Sequence, residues 1–382
     1  MRVTFSREAL LAALQSVEPL VAKATKNGLR CAKIEMRGDA AQVIATNGDV
    51  HVWQAIPVLD SDDELPASSA MLLPVAQLCK MLKFLTGESV VIHYEADRLE
   101  IRDEVNSYKL ATEPVSVWPS VTLPDESPVA TLPACQFRTM LKRTAFCCDS
   151  GSTRFALGGV HLAIHEDHLE AASTDTRRLS LCSRDATLAK SVAITSAIIP
   201  SQAVALVLRA IEDTPADLDV WWDDKAATFR LSDKITIRTR LVEGRFPAYR
   251  QMFDEQGPAW KTVLPVDLLK RLTSAASVVS DAESRGADFI FERPNLLSVT
   301  CQSAQGMSRF TEHTSEHETV SYPQETLTVT LDPTYVAQYL QTLPGESRVR
   351  IELSDDESGV LFAPHDSTCW ECYMLMPLSR DR

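Results

Sequence analysis

Apolar side chains recur every three or four positions in three stretches: FSREALLAALQSV from Phe5, LPACQFRTMLKRTAF from Leu132 and LPVDLLKRLTSAASVV from Leu264. That period marks a helix with one buried face, and in the first stretch Leu10, Leu11, Leu14 and Val17 form the stripe. A second set of helical windows reads PVAQLCKMLKFL from Pro74, PSQAVALVLRAI from Pro200 and DPTYVAQYLQTL from Asp332. Proline near the start of each suits a first helical turn. The pattern then switches to alternation around a polar turn, in VVIHYEADRLEIRD, LDVWWDDKAATFRLSD and VRIELSDDESGVLFAP, which predicts hairpins. A further strand closes each stretch: SYKLATE, ITIRTRLV and CYMLMPL.

The same order of elements is thus written three times. LTGESV at 85–90 and LPGESR at 343–348 lie 258 residues apart, twice 129, and IEDTPADLDV at 211–220 falls between them. A fixed period of this kind is read before anything else, because each copy is one structural unit. The expected fold class is α+β, with three tandem copies over 1–126, 127–255 and 256–382. In each copy two helices pack on antiparallel sheet.

Charge sharpens the picture. The 382-residue chain carries a net charge of −14, which by itself argues against nucleic acid. The six helical windows, however, sum to +7, leaving −21 for the rest. Basic helices on an acidic chain give one face suited to a phosphate backbone and an exterior that repels it. Composition is that of a globular protein. No apolar run approaches the roughly 20 residues that span a bilayer. The opening MRVTFSREALLAAL lacks a basic segment before an apolar core, so no signal peptide is expected. Nine scattered cysteines read as reduced, mostly buried thiols of a cytoplasmic protein.

Chemistry-bearing motifs are few. CWEC at 369–372 has the spacing of a zinc or dithiol pair but no second ligand pair at an obvious distance, and it sits near a strand rather than a helix start. DSDDE at 60–64 and SDDES at 354–358 read as solvated turns. No glycine-rich phosphate loop, GxSxG or HExxH is present. The expectation is therefore a non-enzyme, with no catalytic residues, no cofactor and no metal.

One stretch asks for more than a turn. EGRFPAYRQMF at 243–253 places Phe246, Pro247 and Tyr249 just past a strand, with Arg245 and Arg250 between and after them. Together with FSREALLAALQSV at the start, STDTRRLSLC at 173–182 and YMLMPLSR at 373–380, it resembles the bacterial DNA polymerase III beta subunit family, the sliding clamps. The resemblance runs the full length. It implies a head-to-tail homodimeric ring with helices inside and sheets outside. Such a ring encircles duplex DNA without reading its bases, and tethers the replicative polymerase as a processivity factor. Phosphate contacts suit that task, because they hold DNA without fixing a register.

The resemblance also implies site residues. A hydrophobic pocket for partner peptides maps to Leu157, Thr174, Thr176, Arg177, Arg178, Leu179, Pro247, Gln251, Met252, Asp332, Tyr335, Met374, Leu375, Met376, Pro377 and Leu378. The implied partners are the polymerase III alpha subunit, the clamp loader and other proteins with a clamp-binding peptide of the QLxLF type. DNA contact maps to Lys23, Lys26, Lys83, Arg154 and Phe155, and the dimer seam to Tyr108 against Val278 and Val279 of the other copy. The chain departs from the family where a Gly-His pair is Thr176-Arg177, where an arginine is Gln251 and where an aromatic is Ser284. Those departures motivate an alternative: a divergent clamp-fold scaffold with altered partners or weak DNA loading.

Overall fold

The structure is a computed structural model. It describes residues 1–379 apart from 23, 25, 38–39, 63–68, 96, 121–122, 124–126, 152–154, 190–193, 212–215, 232–233, 255–259, 281–284, 293–294 and 314–325. The first run of elements is β1 (Arg2–Ser6), α1 (Arg7–Val21), β2 (Cys31–Arg37), β3 (Ala40–Thr46), β4 (Val50–Ser61), β5 (Ala70–Pro74), α2 (Val75–Phe84), β6 (Ser89–Glu95), β7 (Arg98–Arg102) and β8 (Ser107–Ala111). The second is β9 (Ala130–Pro133), α3 (Ala134–Thr144), β10 (Gly159–Ile164), β11 (His168–Thr174), β12 (Arg178–Asp185), the two-residue β13 (Thr187–Leu188), β14 (Ser196–Pro200), α4 (Ser201–Ala210), β15 (Asp217–Trp222), β16 (Ala226–Leu231) and β17 (Ile235–Arg240). The short α5 (Gln251–Asp254) follows. The third run is β18 (Trp260–Pro265), α6 (Val266–Ser277), β19 (Ala287–Glu292), β20 (Leu296–Ser303), β21 (Gly306–His313), β22 (Thr326–Leu331), α7 (Pro333–Gln341), β23 (Arg348–Leu353), β24 (Val360–Pro364) and β25 (Glu371–Leu375).

The order strand, helix, three strands, strand, helix, three strands therefore occurs three times, with β13 added within the second run and α5 between the second and third. By contacts the chain forms two compact units: Met1–Arg138 with Ala186–Leu241, and Thr139–Asp185 with Val242–Arg382. In the first unit strands run β13-β9-β15-β16-β17-β4-β1-β6-β7-β8, with β3 on β4, β2 on β3 and β5 on β2. In the second, one row runs β10-β11-β12-β25-β24-β23-β18 and another β21-β20-β19-β22.

Two pairing rules repeat. The opening strand of each run pairs with the strand after its second helix: β1 with β6, β9 with β15, β18 with β23. The last strand of a run pairs with the strand that ends the first triplet of the run before it: β17 with β4, and β25 with β12. β8 and β21 are left at the ends of their rows.

The helices form where the apolar period predicted. Ser6 caps α1, accepting from the Ala9 amide at 3.4 Å, and Glu8 lies in the first turn, where a carboxylate suits the helix dipole. Leu10, Ala13, Leu14, Val17, Leu20 and Val21 are its buried face. Asp332 caps α7 through the Thr334 amide at 2.8 Å, with Pro333 in the first turn. In the second unit Tyr339 of α7 stacks on Tyr373 of β25 at 4.7 Å and 10°, and Phe362 and Phe146 close around that pair. A rigid aromatic cluster thus ties helix to sheet.

The hairpin turns recur as well. Thr46 Oγ1 accepts from the Gly48 amide at 3.0 Å and donates to Val50 O at 2.9 Å, while Asn47 Oδ1 accepts from the amides of Asp49 and Val50. One run later, Thr174 Oγ1 accepts from the Thr176 amide at 3.0 Å and donates to Arg178 O at 2.6 Å, and Asp175 Oδ1 takes the amides of Arg177 and Arg178. In the third run Ser303 Oγ accepts from the Gln305 amide at 3.0 Å. The first two turns are one design with one difference. Gly48 has φ +103° and Thr176 has φ +78°, a region that costs a residue with a Cβ about 1–2 kcal/mol. Local hydrogen bonds hold the β-branched Thr176 there.

Thr176→Gly is expected to raise stability by about 0.5–1 kcal/mol, because relief of the left-handed strain exceeds the extra unfolded-state entropy of glycine. Urea unfolding followed by circular dichroism measures it. A midpoint lower than that of the parent chain would show that the turn carries no such strain.

Candidate functional site

The turn at 174–178 is the base of the site. Arg178 is buried, yet its guanidinium is fully engaged. Nε donates to Asp175 Oδ2 at 2.9 Å, Nη1 to Gln338 Oε1, and Nη2 to Phe146 O at 2.9 Å. The plane lies 4.0 Å over the Tyr335 ring, and Tyr373 donates to Tyr335 O at 3.2 Å. Charge-assisted bonds and stacking together make a buried arginine tolerable. Arg178 therefore braces Tyr335 against the turn. Arg177 beside it is exposed, and its carbonyl accepts from the Met376 amide at 2.9 Å.

Strand β25 is internal, paired to β12 on one side and β24 on the other. Opposite Arg178 and Leu179 stand Leu375 and Met374. At its root the buried Glu371 meets Arg143 Nε at 3.3 Å and Arg184. The strand alternates, so Leu375 points into the core while Met374 and Met376 turn outward. Met252, Phe253, Gly359, Leu361, Met374 and Met376 line a hollow of about 370 Å³, with Glu352 and Glu357 among the polar residues at its edge. Pro377 and Leu378 line another hollow, of about 550 Å³, with Thr328, Thr330, Asp356 and Glu357. Leu157, Leu179, Thr174 and Asp332 are buried and line neither of these two hollows. Pro247 and Gln251 are exposed.

The EGRFPAYRQMF stretch has a double role. Its rings are buried: Phe246 stacks on His161 at 4.7 Å and 9°, and Tyr249 meets the same imidazole edge-on at 5.9 Å. Tyr249 donates to Glu170, a fully buried carboxylate on β11, and Arg250 Nη2 donates to Glu170 Oε2 at 2.7 Å. Arg250 also lies 5.2 Å from the Trp370 ring, against which Phe253 packs edge-on at 5.9 Å. Glu170 thus pins the turn from below while Pro247, Gln251 and Met252 stay at the surface. Burial lowers the His161 imidazole to about 4, and burial followed by the Glu170 carboxylate holds the Tyr249 hydroxyl well above its usual range. Both are neutral at ordinary pH. Sequence reasoning missed His161, Glu170, Trp370 and Gly359. The alternation of HLAIHEDHLEA at 161–171 signals a polar face on that hairpin that something must cover.

The DNA and seam residues fall as follows. Lys26 and Lys83 are exposed, the latter in the last turn of α2. Lys23, Arg154 and Ser284 lie outside the described residues, and Phe155 opens a short 3-10 turn to Leu157. Tyr108 is half-buried on the end strand β8, and Val278 is 77 % exposed just past α6, with Val279 half-buried beside it. Cys372 of CWEC is buried and its thiol is pushed well up by that burial, which disfavours thiolate chemistry there.

Comparison with known proteins agrees along the whole chain. Residues 131–248 match the family model for the DNA polymerase III beta subunit, central domain. The beta sliding clamp of Salmonella typhimurium is 25 % identical over 379 residues, covering 99 % of this chain and 100 % of that protein. That of Haemophilus influenzae is 26 % identical over 389 residues, with the same coverage. Among solved structures, the DNA polymerase III subunit beta from Pseudomonas aeruginosa superposes with a TM-score of 0.88 at 22 % identity, covering 100 % of both chains. A clamp from Bartonella birtlesii bound to griselimycin gives 0.87 at 20 %, again over 100 % of both. Residues 131–248 thus carry the central domain of the DNA polymerase III beta subunit, and the chain is similar along its whole length to the bacterial beta sliding clamps, whose fold it shares.

Proposed function

We propose that this chain is a non-catalytic sliding clamp that encircles duplex DNA, tethers the replicative polymerase and docks its partners through a peptide pocket. The observation that carries this is the repeated joint. The last strand of each later run pairs with the preceding run, β17 on β4 and β25 on β12, and the unused halves of that joint are β8 and β21. Two chains joined head to tail through those strands satisfy both edges, which a lone chain leaves unpaired. Tyr108 then meets Val278 and Val279 of the other copy. The three copies correspond to domains over 1–126, 127–255 and 256–382. Lys23, Lys26, Lys83, Arg154 and Phe155 face the DNA, and their phosphate contacts leave it free to slide. The reading includes a cytoplasmic location; none of the described helices is long and apolar enough to cross a membrane.

The pocket comprises the residues from Leu157 to Leu378 named above, with Met252, Met374 and Met376 as adaptable walls. The relative solved with griselimycin supports a ligand-taking surface of this kind. A second reading keeps the fold and the docking surface but not replication. Thr176 in a left-handed turn, the exposed Arg177 and Gln251 favour it. In that reading the chain is a scaffold with other partners.

A fluorescent QLxLF-type peptide is expected to bind with a Kd on the order of micromolar and to lose most of that affinity in a variant ending at Leu375, which keeps β25 whole. Fluorescence anisotropy measures it, and equal binding by both chains would remove the tail from the pocket. Loaded with its clamp loader, the protein is expected to stay on nicked circular DNA during gel filtration and to leave once the circle is linearised. Release from both forms alike would favour the scaffold.

A further inference from the structure

Side chains on a strand alternate between faces. Across the β10–β11 hairpin, with Ala163 opposite Glu170 and His161 opposite Ala172, His161 and Glu170 share a face, and the alternation continues to His165 and His168. The turn is tight, His165 N donating to His168 O at 3.0 Å. One ligand atom each from His165, His168 and Glu170 lies within 4.8 Å of the other two. His165 Nε2 faces Glu170 Oε1 at 3.5 Å, and the imidazoles lie 4.9 Å apart. A tetrahedral ion with bonds of about 2.0–2.1 Å holds its ligand atoms about 3.4 Å from one another. The pair His165–Glu170 is already at that spacing.

We propose that His165, His168 and Glu170 bind one first-row transition cation of the zinc class, with water in the fourth position.

Two further observations point to a ligand. Nε2 of His165 and Nε2 of His168 are both buried atoms without a hydrogen bond among the described residues. His168 meanwhile places Nδ1 2.7 Å from Asp167 Oδ1. A carboxylate on the far nitrogen fixes the tautomer, leaves Nε2 bare and raises its basicity, as outer partners of metal-bound histidines do. Glu170 is oriented in the same way: Arg250 holds Oε2 at 2.7 Å, and Tyr249 takes one lone pair of Oε1. Arg250 Nε also reaches Oε1, at 3.4 Å, a long contact that an ion at that lone pair would displace. Two imidazoles and one carboxylate select Zn²⁺, Cu²⁺ or Ni²⁺ over Mg²⁺ and Ca²⁺. The cation ties the hairpin tip to the carboxylate that anchors Tyr249 and Arg250, so it stiffens the turn presenting Pro247 and Met252. The site does not depend on the clamp reading, and it departs from the metal-free expectation drawn from sequence.

Calorimetric titration of the full chain with ZnCl₂ is expected to show one ion per chain, lost in His165→Ala/His168→Ala. That variant keeps all nine cysteines, so thiol binding would survive in it. Asp167→Asn, at an 86 % exposed side chain, leaves the fold alone and is expected to weaken binding about 10–100-fold. X-ray absorption of the loaded protein is expected to show nitrogen and oxygen neighbours only. Equal stoichiometry in parent and double variant, or sulfur around the ion, overturns the site.

Discussion

Backbone pairing between successive copies is the constraint on which the rest of this molecule hangs. A strand edge presents a row of donors and acceptors that must be paired, covered or blunted. Here each later copy donates its last strand to the copy before it. The pairing of β25 with β12 does more than continue a sheet. It sets Leu375 against Arg178 and Met374 against Leu179, and so brings the end of the chain to the turn at 174–178. Without that register, the tail methionines and the Arg178–Tyr335 brace would have no reason to share a surface.

A buried carboxylate does the equivalent service on the other side. Glu170 is wholly inside the protein, a position that a carboxylate occupies only when paired and hydrogen-bonded. Tyr249 and Arg250 supply both conditions. The question of whether the rings of EGRFPAYR are core or site therefore has a split answer. Phe246 and Tyr249 are core, and their burial is what leaves Pro247 and Met252 at the surface in a fixed place.

Much of this was legible in the chain. Helical period 3.6 and strand period 2 located the three-fold order of elements, because those periods reflect which face is buried. The motif LVEGRFPAYR and the terminal YMLMPL identified the stretches that converge, yet not what each residue does there. Arg178 and Tyr335 read as peptide contacts from the resemblance, and the structure adds that they stack on each other. Leu157, Thr174 and Asp332 are buried. Long-range pairs such as Glu170 with Tyr249 leave no local signature, since neither residue's neighbours in sequence reveal the partner. Thr176 is the opposite case: it stands where the family pattern carries glycine, the structure gives it positive φ, and the turn at Gly48 shows the unstrained form of the same device.

Gly359 sits under the methionines of the hollow. A Cβ built there would lie 3.0 Å from Met374 Cγ, 3.1 Å from Met374 Sδ and 3.4 Å from Met376 Sδ. The floor of the hollow is thus set by a missing methyl on the neighbouring hairpin. The shape that a bound side chain meets is then adjustable from beneath, by a lining position that brings no side chain of its own. Lineages can diverge in ligand preference while every side chain around the hollow stays the same, and a comparison of those side chains alone will misjudge which proteins share a ligand.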